Sequence, residues 1–227
     1  MTLIIYVRCR DGCVLISDRQ ASEPGGHSRE DKKAFVSEDR SFIIAGAGKG
    51  SDASIVCSSM SQEENNDESS IRQNLNDVVD NYRSRYSQSN LDFEAIAILR
   101  EETGITAYEI FALGGGARCQ RMNPDFRPIG LSAAIIIADY FLKKLKLSEL
   151  DWKKATQYGI AIMKAVADVV NGVGRLEDFG FDVNIALDNG QTYVREKWRE
   201  DTADLTSKVE ISRDISEFFE IPNEEEN

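Results

Sequence analysis

Basic charge, histidine, cysteine and long apolar runs are all scarce in this chain. Lysine and arginine number 27 against 39 acidic residues, a formal net charge of −12. Nucleic-acid phosphates reward the opposite balance, so no nucleic-acid partner is expected. There is one histidine, and the four cysteines, Cys9, Cys13, Cys57 and Cys119, form no C-x-x-C pair. That spacing excludes the common zinc sites, and neither a metal nor a cofactor is expected. Buried free thiols in a reducing compartment are the expectation, with Cys9 and Cys13 on one face of a strand pair or flanking its turn. No apolar run approaches bilayer length, so no membrane partner is expected. The first apolar stretch is short and soon meets Arg8, Arg10 and Asp11, unlike a signal peptide. A cytoplasmic protein follows.

What is present is a chain of 227 residues with 41% hydrophobic content, enough for one domain with a full core. Thr2–Cys9 and Val14–Ser17 read as strands around the Asp11-Gly12 turn. Ser22 to Asp31, with Pro24-Gly25-Gly26, reads as a loop. Lys33–Val36 and Ser41–Ala45 read as strands, followed by a glycine-rich turn and a helix to about Gln62. Ile71, Leu75, Val78, Val79, Tyr82 and Tyr86 recur at helical spacing over about 69–87. A hairpin over Phe93–Leu113 and two short strands follow. Ser132 to about Leu147 reads as a helix. Ser148-Glu149-Leu150-Asp151 looks like a capping box for the next one, whose apolar face is Trp152, Ala155, Gly159, Ile162, Val166 and Val169. A hairpin around Asp188-Asn189-Gly190 closes the fold. Strand runs separated by helix pairs predict an α+β protein, a four-layer αββα sandwich of two mainly antiparallel sheets flanked by helices. The domain is read as 2–196. Residues 197–227, with four basic residues against ten acidic ones, are read as a solvated acidic extension.

Chemistry begins at Met1-Thr2. A small second residue lets the initiator Met be trimmed, which leaves hydroxyl nucleophile and amine base on one threonine. Gly46-Ala47-Gly48-Lys49-Gly50 precedes a helix and carries lysine, but it lacks the spacing of a phosphate-binding loop. Asp18-Arg19 alone reads as a surface ion pair, and Lys32-Lys33 alone as a solvated strand edge.

In order along the chain, however, stand Thr2, then Asp11-Gly12 with Val14-Leu15, then Asp18-Arg19-Gln20-Ala21-Ser22. Lys32-Lys33-Ala34-Phe35 and Ala45-Gly46 with Asp52-Ala53 follow. This series resembles the proteasome β-type family of N-terminal nucleophile hydrolases, over about residues 2–195. The resemblance implies the αββα fold and a threonine-type peptidase with Thr2 as nucleophile, Lys33 beside it, Lys32 being the alternative, and Asp18 holding that lysine. It implies the Gly46 N–H as oxyanion donor, Ala21, Ser22, Ile44 and Gly48 as substrate-contacting residues, and Arg19 and Ser132 as possible supports. It also implies a peptide or unfolded-protein substrate, a homo-oligomeric ring or stacked rings, and an ATPase unfoldase partner. Two family features have no match. Leu131 stands where a serine is usual, and residues 171–178 hold no Asp-x-x-Ser. A non-catalytic ring or scaffold subunit, and a transpeptidase using an amine acceptor, are the other readings.

Overall fold

The computed structural model describes residues 2–22, 27–48, 52–86, 91–102, 104–113 and 116–198. Among them are three antiparallel sheets and five α-helices. The first sheet begins with the N-terminal hairpin of β1 (Leu3–Cys9) and β2 (Gly12–Asp18), paired from Ile4↔Ser17 to Cys9↔Gly12. A second, two-stranded sheet joins β3 (Gln20–Ser22) to β4 (Ser28–Glu30). The sequence reads this segment as a loop, because β4 is exposed throughout and lacks the apolar alternation that marks a strand.

The third sheet runs β5-β6-β7-β8-β9, from β5 (Ala34–Val36) and β6 (Phe42–Gly48) through β7 (Asp92–Glu101) and β8 (Gly104–Leu113) to β9 (Gly116–Arg121). Helices α1 (Asp52–Met60) and α2 (Glu68–Tyr86) connect β6 to β7. The chain then returns to the first sheet. Strand β10 (Phe126–Gly130) pairs with β1, α3 (Ser132–Leu142), α4 (Trp152–Val169) and α5 (Leu176–Phe179) follow, and β11 (Phe181–Leu187) and β12 (Thr192–Trp198) finish the order β10-β1-β2-β11-β12. β12 reaches Trp198, two residues into the segment read as the acidic extension, and the rest of that extension lies outside the described residues.

Three apolar cores follow from strand alternation. Leu3, Ile5, Val14 and Ile16 face α3 and α4, meeting Ala138, Met163 and Val166. Phe42, Ile44, Ala95 and Ala97 face α1 and α2, meeting Val56, Ile71, Leu75 and Val79. The opposite faces share a third core, in which Ile4, Tyr6 and Leu15 of the first sheet join Ile43, Ala45, Ile96 and Ile98 of the third. Burial of each large aliphatic side chain contributes about 1.5–3 kcal/mol.

Some local readings need correction. The helix after residue 150 is capped by Asp151, whose carboxylate accepts from the Lys154 N–H at 2.9 Å, not by Ser148. Its neighbour ends at Leu142 rather than Leu147, and a short 3-10 turn covers Leu147–Glu149. Val169 is 70% exposed, off the apolar face. Cys9 and Cys13 flank the β1–β2 turn, one of the two expected placements, but lie on opposite faces, in different cores. All four cysteines are free and buried. Among the described residues no helix is long and apolar enough to cross a membrane.

Candidate active site

Thr2 sits at the start of β1, only 7% exposed. It opens onto a cleft of about 300 Å³ lined by Ala47 and Gly48 of β6, Asp92, Phe93 and Glu94 of β7, and Gly130 and Leu131. Backbone pairing fixes its place. The Thr2 carbonyl accepts the Leu131 N–H at 2.9 Å. Gly130 presses on the same carbonyl with φ +124°, and a Cβ there would lie 2.0 Å from its oxygen. Only glycine combines that backbone angle with that approach. Gly130→Ala is therefore expected to lower stability by about 2 kcal/mol or more and to displace Thr2, checked by denaturant unfolding.

One residue along, the Leu3 N–H donates to Asp18 Oδ1 at 2.9 Å. Asp18 ends β2 fully buried. Its oxygens also accept the Gln20 N–H (3.1 Å), the Gly174 N–H (3.0 Å) and the Lys33 ammonium, 3.1 Å from each. A buried carboxylate is stable only when so supplied with donors. Lys33, 3% exposed just ahead of β5, also donates to the Gln20 carbonyl. Burial pulls the Lys33 pKa below the usual lysine value, while the charges of Asp18, Asp31 and Asp182 oppose that fall. Asp18 thus joins Lys33 to the backbone of Leu3, the residue after Thr2. The loop where no Asp-x-x-Ser was found still reaches Asp18, by the backbone of Gly174.

Arg19 is 5% exposed and bridges two acids, Asp182 Oδ1 at 2.5 Å and Glu30 Oε1 at 2.9 Å. It is a buried structural clamp rather than a surface pair. Ser132 is exposed in the first turn of α3 and does not line the cleft.

Gly46 does not stand where the sequence reading puts it. It lies inside β6, and its N–H donates to the Lys33 carbonyl at 3.1 Å, so it is not offered to a substrate oxygen. Gly48 lines the cleft beside Thr2. Two residues along a strand, its N–H points to the same edge as that of Gly46. A Cβ at Gly48 would meet the Asp92 carbonyl oxygen and Phe93 Cβ at 2.6 Å. Ile44 is likewise moved: it packs with α1 and α2 in the helix-side core, not on the cleft wall. Ala21 is half-buried in β3, and the Ser22 side chain lies outside the described residues.

The acidic wall of Asp92 and Glu94 is not foreseen in the sequence. Those residues merely open a strand, and only the β6–β7 pairing Gly48↔Phe93 carries them to Thr2. Burial raises the Glu94 pKa above the usual carboxylate value, and the Glu109 and Asp92 charges add to this against Arg127.

Neither a family model nor a curated protein matches the sequence. Solved structures do share its fold. Anbu (ancestral beta-subunit) from Yersinia bercovieri superposes with a TM-score of 0.74 at 14% identity, over 99% of both chains. A Gly-1 mutant of Anbu from Hyphomicrobium sp. strain MC1 gives 0.72 at 16%, over 96% of each. Anbu in a helical assembly from Pseudomonas aeruginosa gives 0.69 at 14%, over 96% of this chain and 93% of that one.

Proposed function

We propose that this chain is a threonine-type endopeptidase of a proteasome-like assembly, a cytoplasmic N-terminal nucleophile hydrolase with the four-layer αββα fold. The observation that carries this reading is the position of Thr2, in a cleft one residue from the buried Asp18–Lys33 pair. The three cores support the sandwich, one between the sheets and one under each helix pair.

With Met1 removed, Thr2 carries a free α-amine of ordinary pKa about 7.7–8.0. The Lys33 ammonium disfavours a second positive charge nearby and keeps more of that amine as free base. The amine takes the Thr2 Oγ proton as Oγ attacks a peptide carbonyl. The carbonyl oxygen becomes an oxyanion, with the Gly48 N–H as donor in place of Gly46. The C–N bond then breaks, its nitrogen leaves with the proton, and water hydrolyses the acyl ester. Asp18 acts on Lys33, holding it charged and in place.

An intact-mass measurement with an epoxyketone reagent tests this. The expected result is protein lacking Met1, carrying one adduct at Thr2. Protein with a free Thr2 that neither labels nor cleaves peptides overturns the reading. The outcome then favours a non-catalytic ring or scaffold subunit, a second reading that Leu131 in the cleft supports. Supplying an amine acceptor separates transpeptidation from hydrolysis by the product formed.

The cleft wall sets an expected preference. Asp92 and Glu94 favour a substrate with lysine or arginine beside the scissile bond. Peptides of that kind are expected to turn over faster than glutamate-bearing ones. The gap narrows in Glu94→Gln, and narrows in the wild type as falling pH protonates Glu94 from its raised pKa. Paired kcat/KM values across pH check both.

Self-assembly belongs to the same proposal. Ile136 and Tyr140, four residues apart on α3, are 69% and 53% exposed, apolar surface of the kind covered in oligomers. A likeness to Anbu, one structure of which is a helical assembly, supports a homo-oligomer. An ATPase unfoldase is the proposed partner that feeds unfolded protein to it.

A further inference from the structure

The first sheet carries a buried polar strip that the Thr2 cleft does not use. Strand alternation puts Ser17 on the face of β2 that bears Cys13 and Leu15, toward the third sheet. On β11 it puts Asp182 and Asn184 on the face that bears Ala186. Ser17 stands directly opposite Asp182 in the β2–β11 register, and Asn184 follows two residues on. The three residues are 0%, 1% and 2% exposed.

Asp182 is used on one side only. Its Oδ1 accepts the Arg19 guanidinium at 2.5 Å and the Lys197 N–H at 3.2 Å. Its Oδ2, together with Ser17 Oγ and Asn184 Nδ2, has no protein partner among the described residues. Buried polar atoms are seldom left unpaired. Here a carboxylate acceptor, a hydroxyl that can do either, and an amide donor lie on one face. That is the set of about three partners an internal water takes. Side chains directly opposite across a strand pair have Cβ atoms about 4.5–5.5 Å apart, a separation that one water bridges.

We propose that Asp182 is a positioning residue of the Thr2 site, and that its second oxygen, Ser17 Oγ and Asn184 Nδ2 bind an internal water between the sheets. Asp182 acts through two cations. It clamps Arg19, the residue next to Asp18, and its charge favours the ammonium form of Lys33. The groups around it are Arg19 just after β2, Ser17 on β2, and Glu196 with the Lys197 N–H on β12, while Lys33 ahead of β5 feels its charge. The water site stands on geometry alone, whereas the positioning role rests on the peptidase reading.

Two measurements test the two halves. Ser17→Ala gives a test of sign for the water. A water-bonded hydroxyl is lost at a penalty, so Tm is expected to fall by about 2–4 °C. An orphan hydroxyl is better removed, so an unchanged or higher Tm overturns the water site.

The positioning role is read from the pH profile of epoxyketone labelling at Thr2. Without the Asp182 charge, Lys33 loses its proton at lower pH. The alkaline limb of labelling is therefore expected to move to lower pH in Asp182→Asn and to stay in place in Ser17→Ala. Asp182→Glu, which keeps the charge, restores the limb. A folded Asp182→Asn with the wild-type limb overturns the role. Because that variant strips Arg19 of a buried partner and threatens the fold, a second readout uses wild-type protein. In a carboxyl-carbon NMR titration the Asp182 signal is expected to inflect at the pH of the alkaline limb, and a flat signal there overturns the role. Failure of wild-type Thr2 to label at any pH overturns the peptidase reading and the positioning role together, and leaves the Ser17→Ala result standing.

Discussion

Replacing Thr2 by alanine is expected to abolish both electrophile labelling and peptide turnover, a loss of at least about a thousandfold. In the proposed mechanism one side chain supplies the only atom that forms a bond to substrate. Alanine is also small, so trimming of Met1 and exposure of the α-amine are expected as for the wild type. What disappears is Oγ alone. The backbone contacts of residue 2 remain, since the Thr2 carbonyl bond to Leu131 and the neighbouring Leu3 bond to Asp18 use no part of the side chain. Stability should therefore change little, and near-UV circular dichroism and Tm check that. Thr2→Ser keeps a hydroxyl on the same backbone and is expected to retain labelling. Full turnover in a Thr2→Ala protein would place the nucleophile elsewhere and end the threonine mechanism.

Asp18→Asn is expected to be the most destabilising of the site substitutions, by about 3–5 kcal/mol. Asp18 is fully buried and Lys33 nearly so, and the ammonium bonds to both carboxylate oxygens. An amide cannot accept the same set. One of its two ends donates, yet Leu3, Gln20, Gly174 and Lys33 all present donors. Lys33 is then left as a buried charge without its main counter-ion, and it responds by losing its proton at lower pH still. Two consequences follow for measurement. Tm falls by roughly 10 °C. The variant regains part of its stability as pH rises, because a lysine whose folded pKa lies below its unfolded value releases its proton more readily in the folded state. In that window the unfolded chain binds more protons, so stability increases with pH up to the ordinary lysine range of about 10.4. A denaturation series from pH 7 to pH 10 on Asp18→Asn reads this directly. A midpoint equal to the wild type at every pH would mean that the pair does not hold the site.

Much of the fold is legible in the chain because it depends on local periodicity. The apolar alternation of Leu3 to Val7 and the helical spacing of Ile71, Leu75, Val78, Val79 and Tyr82 state their elements, and the cores bury those faces. The β3–β4 pair escapes because its residues are polar and exposed, and α5 because four residues hold barely one turn. A motif that ends a strand, as at Asp18, or precedes one, as at Lys33, marks residues that the structure joins in a buried ion pair. The site was misread at Gly46 and Ile44, which lie within β6. There a shift of one or two residues decides whether a group faces the helices, the neighbouring strand or the cleft.

The sequence alone determined most of the order of strands and helices, most apolar faces and a threonine, an aspartate and a lysine at spaced intervals. Its composition set the acidic balance. Tertiary structure decided the rest, namely which glycine borders Thr2, that Gly174 reaches Asp18, and that Arg19 meets Asp182. It also put an acidic wall of Asp92 and Glu94 on the cleft. The physical reason is that these are pairings between segments distant in the chain. Periodicity says which side of a strand is buried, but only register, set by the packing of two sheets on a shared core, says what that side meets.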